Sequence, residues 1–394
     1  MRLGFLVGLM VVCVLVWDTL APTHRLEAAA PTFGRSVRAW SGPTAPESKA
    51  PAVRTANAPL TFAVVADLHT PKDGHVSPTL QRVIAAVAAA RPRFVVVAGD
   101  STNGNPTDGR RRRAMAPRWW AAVRETLRPL REAGIAVLPV AGNHDSYHAA
   151  HRAAYAEAFA DLDAWAAPLR VLGRRVGPGE VALDAAPFSY AVEVEGVHLT
   201  LAHIVDQVVA PEVKRWLESD LAATDAQTRI VVGHVPIVSV MSGARPWLRN
   251  DLGPRFAAAG VDLYLAGHEH LVWDEVFEVP GGRLRQVSVG TAHGTYNYGP
   301  AQSARRRAGC GGAEAKRCTL PVGGTRFGLR TDRASGRKIQ HHRLAYTLVQ
   351  VDGETLTATP MTLDGEGRPV AFGLPSVEGP TTRVAFNERH DHTR

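Results

Sequence analysis

Short apolar runs recur along this chain, and each one stops at a cluster of polar residues. Phe62-Ala63-Val64-Val65-Ala66 stops at Asp67-Leu68-His69, and Phe94-Val95-Val96-Val97-Ala98 stops at Gly99-Asp100. Ile135 to Val140 leads to Gly142-Asn143-His144-Asp145, and Ile230-Val231-Val232-Gly233 leads to His234. Val261 to Ala266 leads to Gly267-His268-Glu269-His270. Continuous apolar runs of this length, rich in β-branched residues, read as strands buried on both faces. Between them the period lengthens. Leu80, Val83, Ile84 and Val87 form one helical face behind Ser77 as N-cap and Pro78 at the first helical position. Arg91-Pro92 ends that helix. A second helix spans 115–133 and carries Trp119, Trp120, Val123, Leu127 and Leu130. Alternating β-α-β units predict a largely parallel first half.

In the second half the period falls to two. Phe188, Tyr190, Val192 and Val194 alternate with small or charged residues, and Glu195-Gly196 turns the chain into Val197 to Ala202, an antiparallel hairpin. A helix after Pro211 presents Val213, Trp216, Leu217 and Leu221, and another covers 248–259. Strands 271–279 and 283–290 pair as a hairpin, as do Tyr346 to Val351 and Thr355 to Met361 around Asp352-Gly353. Residues 161–187 read as irregular, and Arg110 to Arg113 read as a loop. Two central sheets packed together and flanked by helices is the simplest architecture.

Composition adds boundaries. Met1-Arg2 followed by the apolar run Leu3 to Trp17 reads as an export signal, with residues 1–30 either cleaved or kept as an N-terminal anchor. The Pro-, Ala-, Ser- and Thr-rich stretch 31–58 reads as a flexible linker, 59–363 as the folded domain, and 364–394 as a tail. A Gly- and Arg-rich insertion, 291–344, is long for a structureless loop and fits a lid over one sheet edge. Of three cysteines, Cys310 and Cys318 lie in it, and an oxidising compartment favours one local disulfide over free or metal-bound thiols. The net charge of +8 fits anionic partners such as phosphate esters, nucleic acid or an acidic membrane surface, and equally fits high-GC codon usage. Arg110 to Arg113 and Arg305 to Arg307 fit phosphate binding or simply solvated loops.

The polar clusters carry the chemistry. In open α/β sheets the carboxyl ends of strands are where ligands bind. Asp, His and Asn without thiolate suit Mn, Fe or Zn. Asp67, His69, Asp100, Asn143, His234, His268 and His270 exceed what one ion needs, and one shared carboxylate completes two four-ligand sites. Two ions about 3.5–4 Å apart clamp the attacking and leaving oxygens of a displacement at phosphorus. No single piece suffices: with 16 His among 394 residues, a His-x-His arises by chance about 0.6 times. Their joint occurrence, each at a strand end, makes the case for a metal-centred site.

Asp67-x-His69, Gly99-Asp100, Gly142-Asn143-His144-Asp145, Val231-Val232-Gly233-His234 and Gly267-His268-x-His270 together resemble the calcineurin-like metallophosphoesterase superfamily over about residues 60–362. The resemblance implies a four-layer α/β/β/α sandwich with two central mixed sheets, and a centre of two divalent or trivalent metal ions. Asp67, His69 and His270 would hold the first ion, Asn143, His234 and His268 the second, with Asp100 bridging. It implies a phosphoesterase in which a metal-bridging hydroxide attacks phosphorus and His144 protonates the leaving oxygen; with the N-terminal signal, the reading is an exported enzyme acting on small phosphate monoesters. The alternatives are a phosphodiesterase of cyclic nucleotides, nucleic acid or lipid-linked substrates, or a non-catalytic binding module. An uncleaved N-terminal segment would tether the chain to a membrane.

Asn103 marks a departure from the family. Purple acid phosphatases carry a metal-ligating Tyr three residues after the bridging Asp, and many other members carry an Asp. Asn103 would orient His144 through its carbonyl but supplies no counter-charge. Asp145 is a second candidate orienter, with a turn hydrogen bond as its alternative role. His203, at the end of the strand Val197 to Ala202, is either a surface histidine or a substrate contact.

Overall fold

The computed structural model describes residues 59–177, 179–238, 246–270, 272–293, 325–326 and 344–371. The N-terminal segment and linker, Cys310 and Cys318, Arg305 to Arg307 and the last residues of the tail lie outside these. The first half runs β1 (Leu60–Val65), α1 (Pro78–Ala89), β2 (Phe94–Ala98), α2 (Arg110–Arg113), α3 (Ala116–Glu132), β3 (Ala136–Val140), α4 (Asn143–Ser146), α5 (Ala149–Ala158), α6 (Leu162–Ala166) and β4 (Val171–Leu172). The second half runs β5 (Tyr190–Val194), β6 (Val197–Leu201), α7 (Pro211–Ala223), β7 (Thr228–Val232), α8 (Pro246–Ala258), β8 (Leu263–Ala266), β9 (Val272–Val279), β10 (Gly282–Val289), β11 (Thr325–Arg326), β12 (Tyr346–Asp352), β13 (Thr355–Leu363) and β14 (Pro369–Ala371).

Two mixed sheets form from these strands. One has the order β14-β13-β12-β1-β2-β3, with β1, β2 and β3 parallel and β12 antiparallel to β1. The other has the order β11-β9-β10-β8-β7-β6-β5-β4, with β6, β7, β8 and β10 parallel. Alternation along β7 and β8 shows how the layers stack. Ile230, Val232, Leu263 and Leu265 join the core that also holds β1 to β3. Val231, Tyr264 and Ala266 point the other way and pack with Val213 and Leu217 of α7 and Leu252 and Phe256 of α8. On the far side, α1 and α3 bury Leu80, Ile84, Trp119, Val123 and Leu127 into the first core. The result is the α/β/β/α sandwich.

Local chemistry sets the elements as the sequence implies. Ser77 Oγ accepts from Leu80 N at 3.4 Å and Pro78 opens α1. Glu195 and Gly196 both have positive φ, 52° and 81°, as the tight turn between β5 and β6 requires. Three expectations need correction. Arg110 to Arg113 form the one-turn helix α2, braced by Arg112 stacked over Trp119 and donating to Lys72 O. The stretch 161–187 is not wholly irregular, because it contains α6 and β4. The sheet also continues past residue 363, since β14 pairs with β13 through Met361–Ala371 to Leu363–Pro369. The start of the insertion belongs to the fold too: Ala292 N donates to Ala66 O and Thr291 Oγ1 to Asp67 O. Among the described residues, no helix is long and apolar enough to cross a membrane.

Candidate metal centre

β1, β2, β3, β7 and β8 all end at one edge, where the two sheets meet. Asp67 N donates to Gly99 O and His69 N to Asp100 O, prolonging the β1–β2 pairing into the polar residues. Across the seam, His268 N donates to the Asp67 carboxylate at 3.0 Å, and His234 Nδ1 donates to Ala98 O at 2.9 Å. The backbone here is under strain. Asp67, His69, Asp100, His268 and His270 have φ of 53°, 42°, 52°, 70° and 52°. Left-handed backbone is uncommon for residues with a Cβ and gathers at functional sites. Close approach also fixes Gly142, where a Cβ would lie 2.2 Å from Asp100 Oδ1.

The seven sequence-selected residues come together. Asp67, His69 and His270 form one buried group, and Asp100, His234 and the half-buried His268 form another; within each, the offered atoms lie within 4.8 Å of one another. In the first, His69 Nε2 and His270 Nε2 face each other at 2.9 Å, and His270 Nε2 lies 3.1 Å from Asp67 Oδ1. In the second, Asn143 Oδ1 lies 3.0 Å from His234 Nε2 and 2.9 Å from His268 Nδ1. Asp100 Oδ2 reaches both groups, 3.1 Å from His234 Nε2 and 3.9 Å from His69 Nε2.

This donor set fits a cation. Its lone pairs converge from opposite sides on spaces where two neutral imidazoles have nothing to share but one proton. Burial would push the Asp67 and Asp100 carboxyls up, yet the neighbouring His270 and His234 hold both below the ordinary range. Burial pushes His69 and His268 down to about 4, leaving neutral imidazoles with lone pairs to give. Burial also opposes charge on His234, but Asp100 outweighs it and raises His234 to about 9. A divalent cation would take the place of that proton. With Nδ1 donating to Ala98 O, His234 keeps Nε2 for the cation.

His144 sits beside the cluster. Its Nε2 is 3.8 Å from Asp100 Oδ2, and its ring stands edge-on to His69 with centroids 4.8 Å apart. Of the two candidate orienters, Asp145 takes its alternative role in the turn and Asn103 bonds elsewhere. Asp145 is buried and accepts from Gly142 N, Ser101 N, Thr102 N and Thr102 Oγ1 at 2.7–3.2 Å, clasping the loop after β2 to α4. Asn103 Nδ2 donates to the carbonyls of His69 and Thr70, and no hydrogen bond joins it to His144. His203 is neither a surface histidine nor an open substrate contact. It is buried, its Nε2 lies 3.1 Å from Ser146 Oγ, and burial pushes it down to about 3.

Sequence reasoning left His293 unplaced within the 291–344 insertion and did not single out Tyr147. His293 has its ring 5.8 Å from that of His69; its only signal was its position just after β10. Tyr147 takes Asn143 Nδ2 on its hydroxyl at 2.6 Å. The signal for it was the four-residue spacing, readable only once α4 is known to be helical.

Two mixed sheets sandwiched between helices, with Asp, Asn and His donors gathered at the strand ends, define a metallo-dependent phosphatase-like protein. Residues 60–272 match the model of the calcineurin-like phosphoesterases, and the chain belongs to that family. Among solved structures it is similar to the purple acid phosphatase PPD1 from yellow lupin seeds, with 13% identity and a TM-score of 0.50 over 78% of this chain. It spans only 52% of the length of that phosphatase. It is also similar to GAP50, the anchor in the inner membrane complex of Plasmodium, with 15% identity and a TM-score of 0.45 over 80% of this chain and 89% of that one. A dimetal phosphatase from Danio rerio shares 11% identity and a TM-score of 0.42, over 80% of this chain and 100% of that one. At such identities the likeness is one of fold. No curated protein sequence matches the chain.

Proposed function

We propose that this protein is an exported, binuclear metal-dependent phosphoesterase that hydrolyses small phosphate monoesters. The observation that carries the reading is the pair of buried donor groups linked by Asp100, with a partly exposed His144 beside them. Asp67, His69 and His270 would hold one ion and Asn143, His234 and His268 the other, with Asp100 available to both; Mn, Fe and Zn suit these donors. When bound, such ions supply Lewis-acid charge to phosphoryl oxygens and acidify water.

The remaining work falls to the chain. Hydrolysis bonds a water oxygen to phosphorus, breaks the ester P–O bond and needs a proton on the departing oxygen. His144, part-exposed beside Asp100, would supply that proton. Strand ends and the loop after β2 keep the donors in place through the Asp145 clasp. Support for export comes from the sequence of residues 1–30.

The test uses purified protein loaded with Mn, Zn or Fe and assayed on phosphomonoesters and phosphodiesters, with metal content measured alongside. The expected result is two ions per chain and faster turnover of monoesters. Faster turnover of diesters would replace the substrate class, and two bound ions without turnover of either would make the protein a binding module.

A further inference from the structure

Tyr147 follows α4 by one residue, one helical turn beyond Asn143, and is 37% exposed. Its hydroxyl accepts from Asn143 Nδ2 at 2.6 Å. Its ring stands edge-on to His144, centroids 5.4 Å apart and planes at 71°. One side chain thus touches a candidate ligand through its polar end and the candidate acid through its ring.

Both contacts answer a need. A carboxamide has one oxygen, and only the oxygen binds a cation; the NH2 end repels it. Asn143 therefore serves as a ligand in one orientation of its amide. With Nδ2 held by Tyr147, Oδ1 points among His234 Nε2 and His268 Nδ1, at 3.0 and 2.9 Å. His144 has a different problem. Its Nδ1 is buried with no hydrogen-bond partner among the described residues, and the Asp100 carboxylate, 3.8 Å from Nε2, is beyond hydrogen-bond distance. Packing sets the angle of the ring instead, with His69 and Tyr147 presenting their rings against it.

We propose that Tyr147 is a positioning residue for both groups: the hydroxyl holds Asn143 in its cation-binding orientation and the ring holds His144 beside the cluster. This rests on the metal-centre reading above. Groups that orient metal ligands in this way are worth 10- to 100-fold in metal affinity.

The experiment compares wild type, Tyr147→Phe and Tyr147→Ala by calorimetric metal titration, metal content and turnover on an alkyl phosphate and a nitrophenyl phosphate. Phenylalanine keeps the ring and removes the hydroxyl. It is expected to weaken binding at one metal position by about tenfold, with turnover recovering toward wild type as metal is raised. Alanine removes both. It should show the same loss of affinity, plus a fall in kcat at saturating metal of about tenfold or more on the alkyl phosphate, whose leaving oxygen needs the proton. The fall on nitrophenyl phosphate should be smaller. Tyr147→Leu, which keeps apolar volume without an aromatic edge, replaces alanine if that variant does not fold. Wild-type affinity in Tyr147→Phe would overturn the role of the hydroxyl. Equal kcat for Tyr147→Phe and Tyr147→Ala on the alkyl phosphate would overturn that of the ring. A wild type that binds no metal would instead overturn the metal-centre reading, so the two failures are distinct.

Discussion

His144 differs from the residues around it in what it faces. Its side chain is 24% exposed, while that of Asp100, 3.8 Å away, is 2% exposed. Buried donors enclose a cation; an imidazole on the open side meets a substrate. A positioned acid is worth about 10²–10⁴ in rate, and the benefit depends on the leaving group. His144→Ala is therefore expected to keep two metals, lose most turnover on alkyl phosphates, and lose much less on nitrophenyl phosphate. Turnover on both substrates, with metal content, checks this. Equal losses would remove the acid role, and loss of an ion would make His144 a ligand. The seven donors were legible in the sequence because each directly follows a buried run that cannot itself host polar chemistry. The role of Asn103 was not, and for Asp145 the sequence left orienting His144 and a turn hydrogen bond both open. Successive residues on a helix leave it about 100° apart, so adjacency to His144 says nothing about where the Asp145 carboxylate goes. In α4 it turns back to the amides of Gly142, Ser101 and Thr102.

At the scale of elements, α7 is fastened to the second sheet by one buried histidine as well as by apolar packing. His198 of β6 lies 3.0 Å from Asp220 of α7 and 3.2 Å from Glu193 of β5. Thr200 and Thr224 donate to the same two carboxylates. Burial opposes charge on His198, but Asp220 and then Glu193 outweigh it and raise its pKa above the ordinary value of 6.5. A group whose pKa is higher folded than unfolded stabilises fully below its unfolded value, and that contribution is lost as pH rises through the folded value. Urea unfolding at pH 6 and pH 8.5 should therefore show wild type losing stability relative to His198→Gln over this interval. Parallel pH dependence in the two proteins would refute the assignment. Sequence periodicity found α1, α3 and α7 because each repeats an apolar face over three turns or more. It missed α2 and β4 for opposite reasons. The arginines of α2 are largely solvated and carry no pattern, and β4 is two residues long and exists only through its pairing with β5.

The whole molecule is two sheets sharing one site. Asp67, Asp100 and Asn143 come from the first sheet, and His234, His268 and His270 from the second. Ions bound there would fasten the sheets together and stabilise only the folded chain. At ligand concentrations a hundredfold above Kd, each site adds about 2.7 kcal/mol. Stripping metal with a chelator should lower Tm by several degrees, and adding back Mn or Zn should restore it. In Asp100→Asn the chelator should shift Tm much less, because the carboxylate shared by both donor groups is gone; scanning calorimetry reads both. An unchanged wild-type Tm after chelation would count against a centre that joins the sheets. At this scale the sequence revealed the strands but not their order. β12 begins nearly three hundred residues after β1 yet lies beside it, Val351 against Leu60, and no local pattern encodes such a pairing.

The left-handed residues at the strand ends bear on what those positions are for. Glycine or asparagine accepts φ near +50° more readily, and a side chain held there costs about 1–2 kcal/mol. At Asp67, His69, Asp100, His268 and His270 glycine would relieve that cost. All five positions instead keep side chains that can grip a cation. Folding alone would be served as well by glycine there, so what these side chains have in common is the candidate metal centre.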